Sequence, residues 1–173
     1  MAAYTLADIR KEYDRLDSLC GVDTSSITLK ISTRSPDRYG YCKYKRENGK
    51  LAPDTISITD FILKCENEFW NTIRHEYAHA LVTIRTGKKH GHDHVWQAAA
   101  KEVGCKPDRL ASDKTAAKMS YQRRSERTKY EIHCRKCGRI YKYMRAGGVV
   151  RAMQAGRNCT CACGSSALFL ITR

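Results

Sequence analysis

Leu6, Ile9, Tyr13, Leu16 and Leu19 stand three and four residues apart. That period gives a helix over residues 5–20 one apolar face, and Gly21 is placed to end it. In residues 26–32 the pattern changes to alternation, with Ile27, Leu29 and Ile31 between polar neighbours, as in a half-buried strand. A turn-like run, SPDRYG, leads into a second expected strand over 39–45, and Asn48-Gly49 is a strong hairpin signal. Residues 55–59 (TISIT) predict a third strand. From Asp60, a capping residue, the helical period returns. Phe61, Ile62, Cys65, Phe69, Trp70, Ile73, Tyr77, Leu81 and Ile84 make a broad apolar face that Gly87 is placed to stop. Residues 93–103 predict one more helix, with Val95, Trp96, Ala99 and Val103 inward and Gly104 and Pro107 closing it. A helix, a small sheet and two further helices predict an α+β domain.

Beyond it the character changes. Residues 108–129 are polar, basic and partly helix-compatible, and from Tyr130 short β-like runs (YEIHC, RIYKYM, ALFLIT) surround a group of cysteines. The expected division is therefore a domain over 1–110, a basic linker over 111–128 and a small β-rich module over 129–173. A chain of 173 residues, 42% of them hydrophobic, can bury one modest core and carry such an appendage. No run of about 18 apolar residues occurs, so no membrane partner is expected. The N-terminus turns charged within its first turns and lacks the apolar stretch of a secretory signal. A cytoplasmic location is expected, with association to a nucleoid or nucleus compatible with it.

Charge sharpens the division. Residues 1–105 hold 16 Lys/Arg against 14 Asp/Glu, whereas residues 106–157 hold 15 against 4. A positive field so concentrated attracts polyanions, and nucleic acid is the commonest in a cytoplasm.

The chemistry lies first in His75-Glu76-Tyr77-Ala78-His79. On a helix, residues four apart project from one face about 6 Å apart, so both imidazoles can meet one tetrahedral Zn²⁺. Glu76 lies one step around, placed to act as catalytic base on the attacking water. A catalytic zinc takes three protein ligands. His90, His92 and His94 are the candidates for the third, and spacing does not choose among them.

HEYAHA and the following GHDHVW resemble the SprT-like metallopeptidases, a family that includes DNA–protein crosslink proteases. The likeness extends over most of the chain, through the N-terminal helix, Tyr39-Gly40-Tyr41-Cys42, Ile56-Ser57-Ile58 and a C-terminal cysteine module. It implies a small zincin-like metallopeptidase domain followed by a zinc ribbon, with His92 as third ligand and Trp96 as the aromatic packing position. The chain departs from the family at Asp93, where glycine is usual, which keeps His94 as the alternative ligand.

Of nine cysteines, Cys20, Cys42, Cys65 and Cys105 are scattered singly and read as buried small hydrophobes in a reducing compartment. Cys134-Arg-Lys-Cys137-Gly138 reads as a zinc knuckle. Its partner is drawn from Cys159, Cys161 and Cys163, with Cys163-Gly164 mirroring Cys137-Gly138. Either Cys161 or Cys159 completes the set, and the resemblance favours Cys161, since the family uses CxC pairs. One catalytic and one structural Zn²⁺ are thus expected. Arg123, Arg124, Arg127, Lys129, Arg135, Lys136, Arg139 and Lys142 are the candidate nucleic-acid contacts, suited to phosphates of single-stranded or damaged DNA. Tyr130, Tyr141 and Tyr143 are interleaved with them. The expected function is a zinc-dependent endopeptidase, and the resemblance implies substrates bound or crosslinked to DNA. The alternative is a nucleic-acid-binding adaptor that holds zinc but cleaves nothing.

Overall fold

The computed structural model describes residues 3–35, 38–106 and 114–173. Pro36 and Asp37 of the expected turn, residues 107–110 at the end of the expected first domain, and residues 111–113 of the expected linker lie outside them. Among the described residues there are five α-helices and two three-stranded sheets, an α+β architecture. The chain forms two compact units, Met1–Ser120 and Tyr121–Arg173.

In the first unit, helix α1 (Leu6–Cys20) starts at a capping box. Thr5 accepts from the Asp8 amide while the Asp8 carboxylate takes the Thr5 amide, and Gly21, at φ 66°, ends the helix. Its buried stripe runs through Ile9, Tyr13, Leu16 and Cys20. Because Cys20 continues the stripe four residues after Leu16, Leu19 rotates outward and is 57% exposed, contrary to its expected place on the apolar face.

Strands β1 (Thr28–Ser32), β2 (Gly40–Glu47) and β3 (Lys50–Thr59) form a sheet in the order β1-β3-β2. β3 pairs parallel with β1 and antiparallel with β2. The β2–β3 hairpin turns on Asn48 (φ 48°) and Gly49 (φ 78°), the two positive-φ residues a tight hairpin needs. β3 begins five residues before the expected 55–59. Pro53 hides that extension, since a proline lowers strand propensity. It is accommodated before the pairing with β1 begins at Thr55, next to a register shift at Lys43/Tyr44.

Residues Asp60–Lys64 form a short 3-10 turn, and helix α2 (Glu66–Thr86) starts only after it. The expected continuous helix from Asp60 is broken at Cys65, whose φ of −112° and ψ of 87° are not helical. Phe61, Ile62 and Leu63 still pack inward, which is why the apolar period runs through the break. Helix α3 (His94–Glu102) follows a loop that begins at Gly87 (φ 67°).

Phe69, Ile73, Tyr77 and Leu81 of α2 are fully buried with Ile9, Tyr13 and Leu16 of α1, Ile56 and Ile58 of β3, and Trp96 of α3. Each such side chain contributes about 1.5–3 kcal/mol through burial. Polar contacts fix the register of the helices. The Tyr13 hydroxyl donates to the Ile73 carbonyl at 3.0 Å, and Tyr77 donates to Asp17 at 2.7 Å. Glu12 receives both Arg15 and Arg74, which together hold its carboxyl below the ordinary range. Arg85 grips Glu102 with two hydrogen bonds of 2.7 and 2.8 Å, linking α2 to α3.

Helix α4 (Lys114–Glu126) crosses the division between units. In the second unit, β4 (Tyr130–Cys134), β5 (Ile140–Tyr143) and β6 (Leu168–Thr172) form an antiparallel sheet in the order β5-β4-β6. A short helix, α5 (Gly148–Gln154), buries Val150 and was not signalled by the sequence pattern, since it is brief and starts on two glycines.

Phe69 makes no contribution to chemistry, so its removal isolates the core. Phe69→Ala should cost about 3–5 kcal/mol in denaturant unfolding of the zinc-free protein.

Candidate metal centres

Helix α2 turns one face into the core and brings His75 and His79, one helical turn apart, to the other. Potential ligand atoms of His75, His79 and His92 all lie within 4.8 Å of one another. His75 Nε2 and His92 Nε2 are 3.0 Å apart. The indole of Trp96 lies against all three rings, with centroid distances of 4.7 Å to His75, 5.2 Å to His79 and 4.4 Å to His92. This position, at the start of α3, makes the fully buried Trp96 the platform on which the imidazoles rest.

The loop between α2 and α3 distributes its three histidines differently. His92 joins the cluster. His90 pairs through Nδ1 with Asp93 Oδ2 at 2.9 Å, while His94 is the exposed first residue of α3 and is outside the cluster. Asp93, the departure from the family pattern, caps α3 by accepting from the Trp96 amide at 3.1 Å. One carboxylate thus starts the helix that carries Trp96 and holds His90. The Gln97 side chain in turn donates to the His92 carbonyl at 3.1 Å.

Burial holds the His75 imidazole down to about 4, with the neighbouring His92 charge adding to it. Burial, then His75 and His92, hold His79 to about 3. Both rings are therefore neutral near pH 7, the form that ligates a metal. Three neutral imidazoles converging in this way fit Zn²⁺. Glu76 is buried beside them, and burial pushes its carboxyl up to about 8 against the opposing Arg38 charge and the Cys42 amide. A carboxyl poised near neutrality in a buried site is suited to taking and returning protons.

The second unit gathers four thiols. Potential ligand atoms of Cys134, Cys137, Cys161 and Cys163 all lie within 4.8 Å of one another, and Cys159 is not among them. Cys159 instead lies near the Val149 and Arg157 carbonyls. The two knuckles close in parallel fashion. Gly138 (φ 69°) donates to the Cys134 carbonyl, and Gly164 (φ 81°) to the Cys161 carbonyl, both at 2.9 Å. The CxC knuckle closes the same kind of turn with one residue fewer, so the missing CxxC spacing does not prevent a cluster of four cysteines.

Tyr141 is committed to this cluster. Its hydroxyl is 3.2 Å from Cys161 Sγ and receives the Ala162 amide at 3.2 Å. The Cys163 amide and then Tyr141 hold the Cys161 thiol down to about 6, which favours thiolate. The amides of Cys137 and Lys136 lower Cys134 likewise. The neighbouring thiols push Cys137 up to about 11, so the fit to a structural Zn²⁺ in a zinc ribbon rests on the convergence of the four sulfurs.

All eight candidate nucleic-acid residues fall in the second unit. Arg124, Lys129, Arg135, Lys136, Arg139 and Lys142 are exposed, whereas Arg123 and Arg127 are half-buried. Lys142 also lies 3.9 Å from Glu131, and Arg135 stacks over Phe169 at 5.2 Å. Phe169 escaped the sequence reading. Strand pairing aligns it with His133 and Ile140, and its ring lies 5.1 Å from that of His133. The alternation in ALFLIT was the available signal.

A model of the SprT-like family matches residues 6–132. None of the curated proteins matches the sequence. No helix among the described residues is long and apolar enough to cross a membrane.

The depressed histidines give a pH signature. Their contribution to folding is complete above the unfolded value of about 6.5 and is lost as pH falls through about 4 for His75 and about 3 for His79. The thermal stability of zinc-free protein should therefore fall on acidification below about pH 6.5. Substituting His79→Gln should flatten that dependence by at most about 1.4 kcal/mol per pH unit.

Proposed function

Because the chain belongs to the SprT-like family, we propose that it is a zinc-dependent endopeptidase acting on proteins bound or crosslinked to DNA. The observation that carries this reading is the meeting of His75, His79 and His92 beside a buried Glu76. In it, the three histidines hold the catalytic Zn²⁺ and Cys134, Cys137, Cys161 and Cys163 hold a structural one. His94 and Cys159, the alternative ligands, lie outside the two clusters.

Bound zinc would polarise the scissile carbonyl and acidify the attacking water. Glu76 takes the proton of that water and passes it to the leaving amine. Burial serves this exchange, because a carboxyl pushed toward neutral pH both accepts and donates readily. Trp96 packs against the imidazoles and limits their rotation.

The functional division is a peptidase domain over 1–110, a connecting segment over 111–128 and a ribbon over 129–173. The exposed cations of the second unit neutralise phosphates, and Phe169 with Arg135 offers a surface for an unpaired base. On this reading the enzyme works on nucleic acid inside the cell. A zinc-holding adaptor without activity would not require a buried carboxylate next to the histidines.

Glu76→Gln discriminates the two. The variant should retain both zinc ions while cleavage of a DNA-binding substrate protein falls at least about 100-fold. Equal behaviour of wild type and variant, with DNA present and absent, would favour the adaptor.

A further inference from the structure

We propose that Gly40 is a positioning residue for Glu76: the first residue of β2 must lack a side chain so that the carboxylate can stand in its working position. The inference rests on the peptidase reading above.

A Cβ placed on Gly40 would lie 2.8 Å from Glu76 Cγ, 2.9 Å from Glu76 Oε1 and 3.0 Å from Thr72 Cγ2. The two Glu76 distances are shorter than real Cβ atoms adopt, and the Thr72 distance is tighter than nearly all of them. Gly40 is not among the residues with positive φ, so its backbone would accept any amino acid. What excludes a larger residue is the neighbour on α2, not the conformation.

The strand cannot retreat to relieve the contact. Gly40 is paired with Ile58 in the sheet, and the Thr59 amide donates to the Tyr39 carbonyl at 2.8 Å. The Thr59 hydroxyl donates to the Arg38 carbonyl. Three successive residues, 38–40, are thereby tied to the central strand. Helix α2 is equally fixed, since Phe69, Ile73 and Tyr77 on its other side are fully buried.

The yielding group is the end of the Glu76 side chain, which has rotatable bonds to spare. Its displacement costs little in folding, because the core is untouched. It costs much in chemistry, since a shift of about 1 Å in a reacting group can lower a rate about 100-fold. β2 thus admits Glu76 through a missing side chain.

The test compares wild type, Gly40→Ala and the double variant Gly40→Ala/Thr72→Ser, all zinc-loaded and assayed on the same DNA-binding protein. Zinc content, unfolding temperature, kcat and KM are measured, and crystal structures of the zinc-free variants locate Glu76. Zinc content and unfolding temperature should match wild type, KM should stay within about twofold, and kcat should fall about 100-fold. Glu76 should be rotated away from residue 40 in the crystals. If Gly40→Ala unfolds against Thr72, the double variant removes that methyl group and should fold with the kcat defect intact.

An unchanged kcat in either folded variant, or Glu76 in its wild-type position beside the added methyl group, would overturn the proposal. A wild type that cleaves nothing would instead sink the peptidase reading, and the crystal structures would still decide the placement of Glu76.

Discussion

A helix that presents two histidines to a metal must spend its remaining faces on staying still. In α2 that division is sharp. Phe69, Ile73, Tyr77 and Leu81 are buried, and His75 and His79 occupy the side where His92 arrives. Two neutral imidazoles held this close, with a third facing them, tolerate little rotation of the helix. The supports are correspondingly numerous. Tyr13 reaches the Ile73 carbonyl, Glu12 reaches Arg74, Tyr77 reaches Asp17, and Arg85 carries the constraint on to α3 through Glu102. The site is thus an outcome of core packing. Its ligands are placed by residues that never touch the chemistry.

Local signals made much of this legible. The Gly21 helix stop, the Asn48-Gly49 turn and the paired histidines of HExxH each involve residues fewer than five apart, so chemistry and conformation can be judged from neighbours alone. Contacts between distant segments were not legible in that way. Cys65 interrupts the helical pattern without interrupting burial, and Pro53 conceals a strand that tolerates it because it lies before the pairing with β1 begins. His90, His92 and His94 differ by the folding of one loop, and it is the pairing of Asp93 with His90 and Trp96 that turns them different ways. The fit of Gly40 against Glu76, thirty-six positions apart in the chain, had no local trace.

The second unit follows another logic. With a three-stranded sheet and one short helix, it has few apolar residues to bury, and a metal held by four thiols would supply the missing stability. That frees its surface to be charged. The excess of cations sits where little core must be protected, and Tyr141, interleaved with those cations in the sequence, is used inward on Cys161. Phe169, placed by strand pairing, sits with Arg135.

Central to the account are two separate zinc centres in one chain, one of them built on His75, His79 and His92. Elemental analysis of purified wild type, His92→Ala and His94→Ala tests it directly. Wild type and His94→Ala should each carry two zinc ions per chain, and His92→Ala should carry one. A wild type holding one ion or none, or a zinc loss confined to His94→Ala, would contradict it.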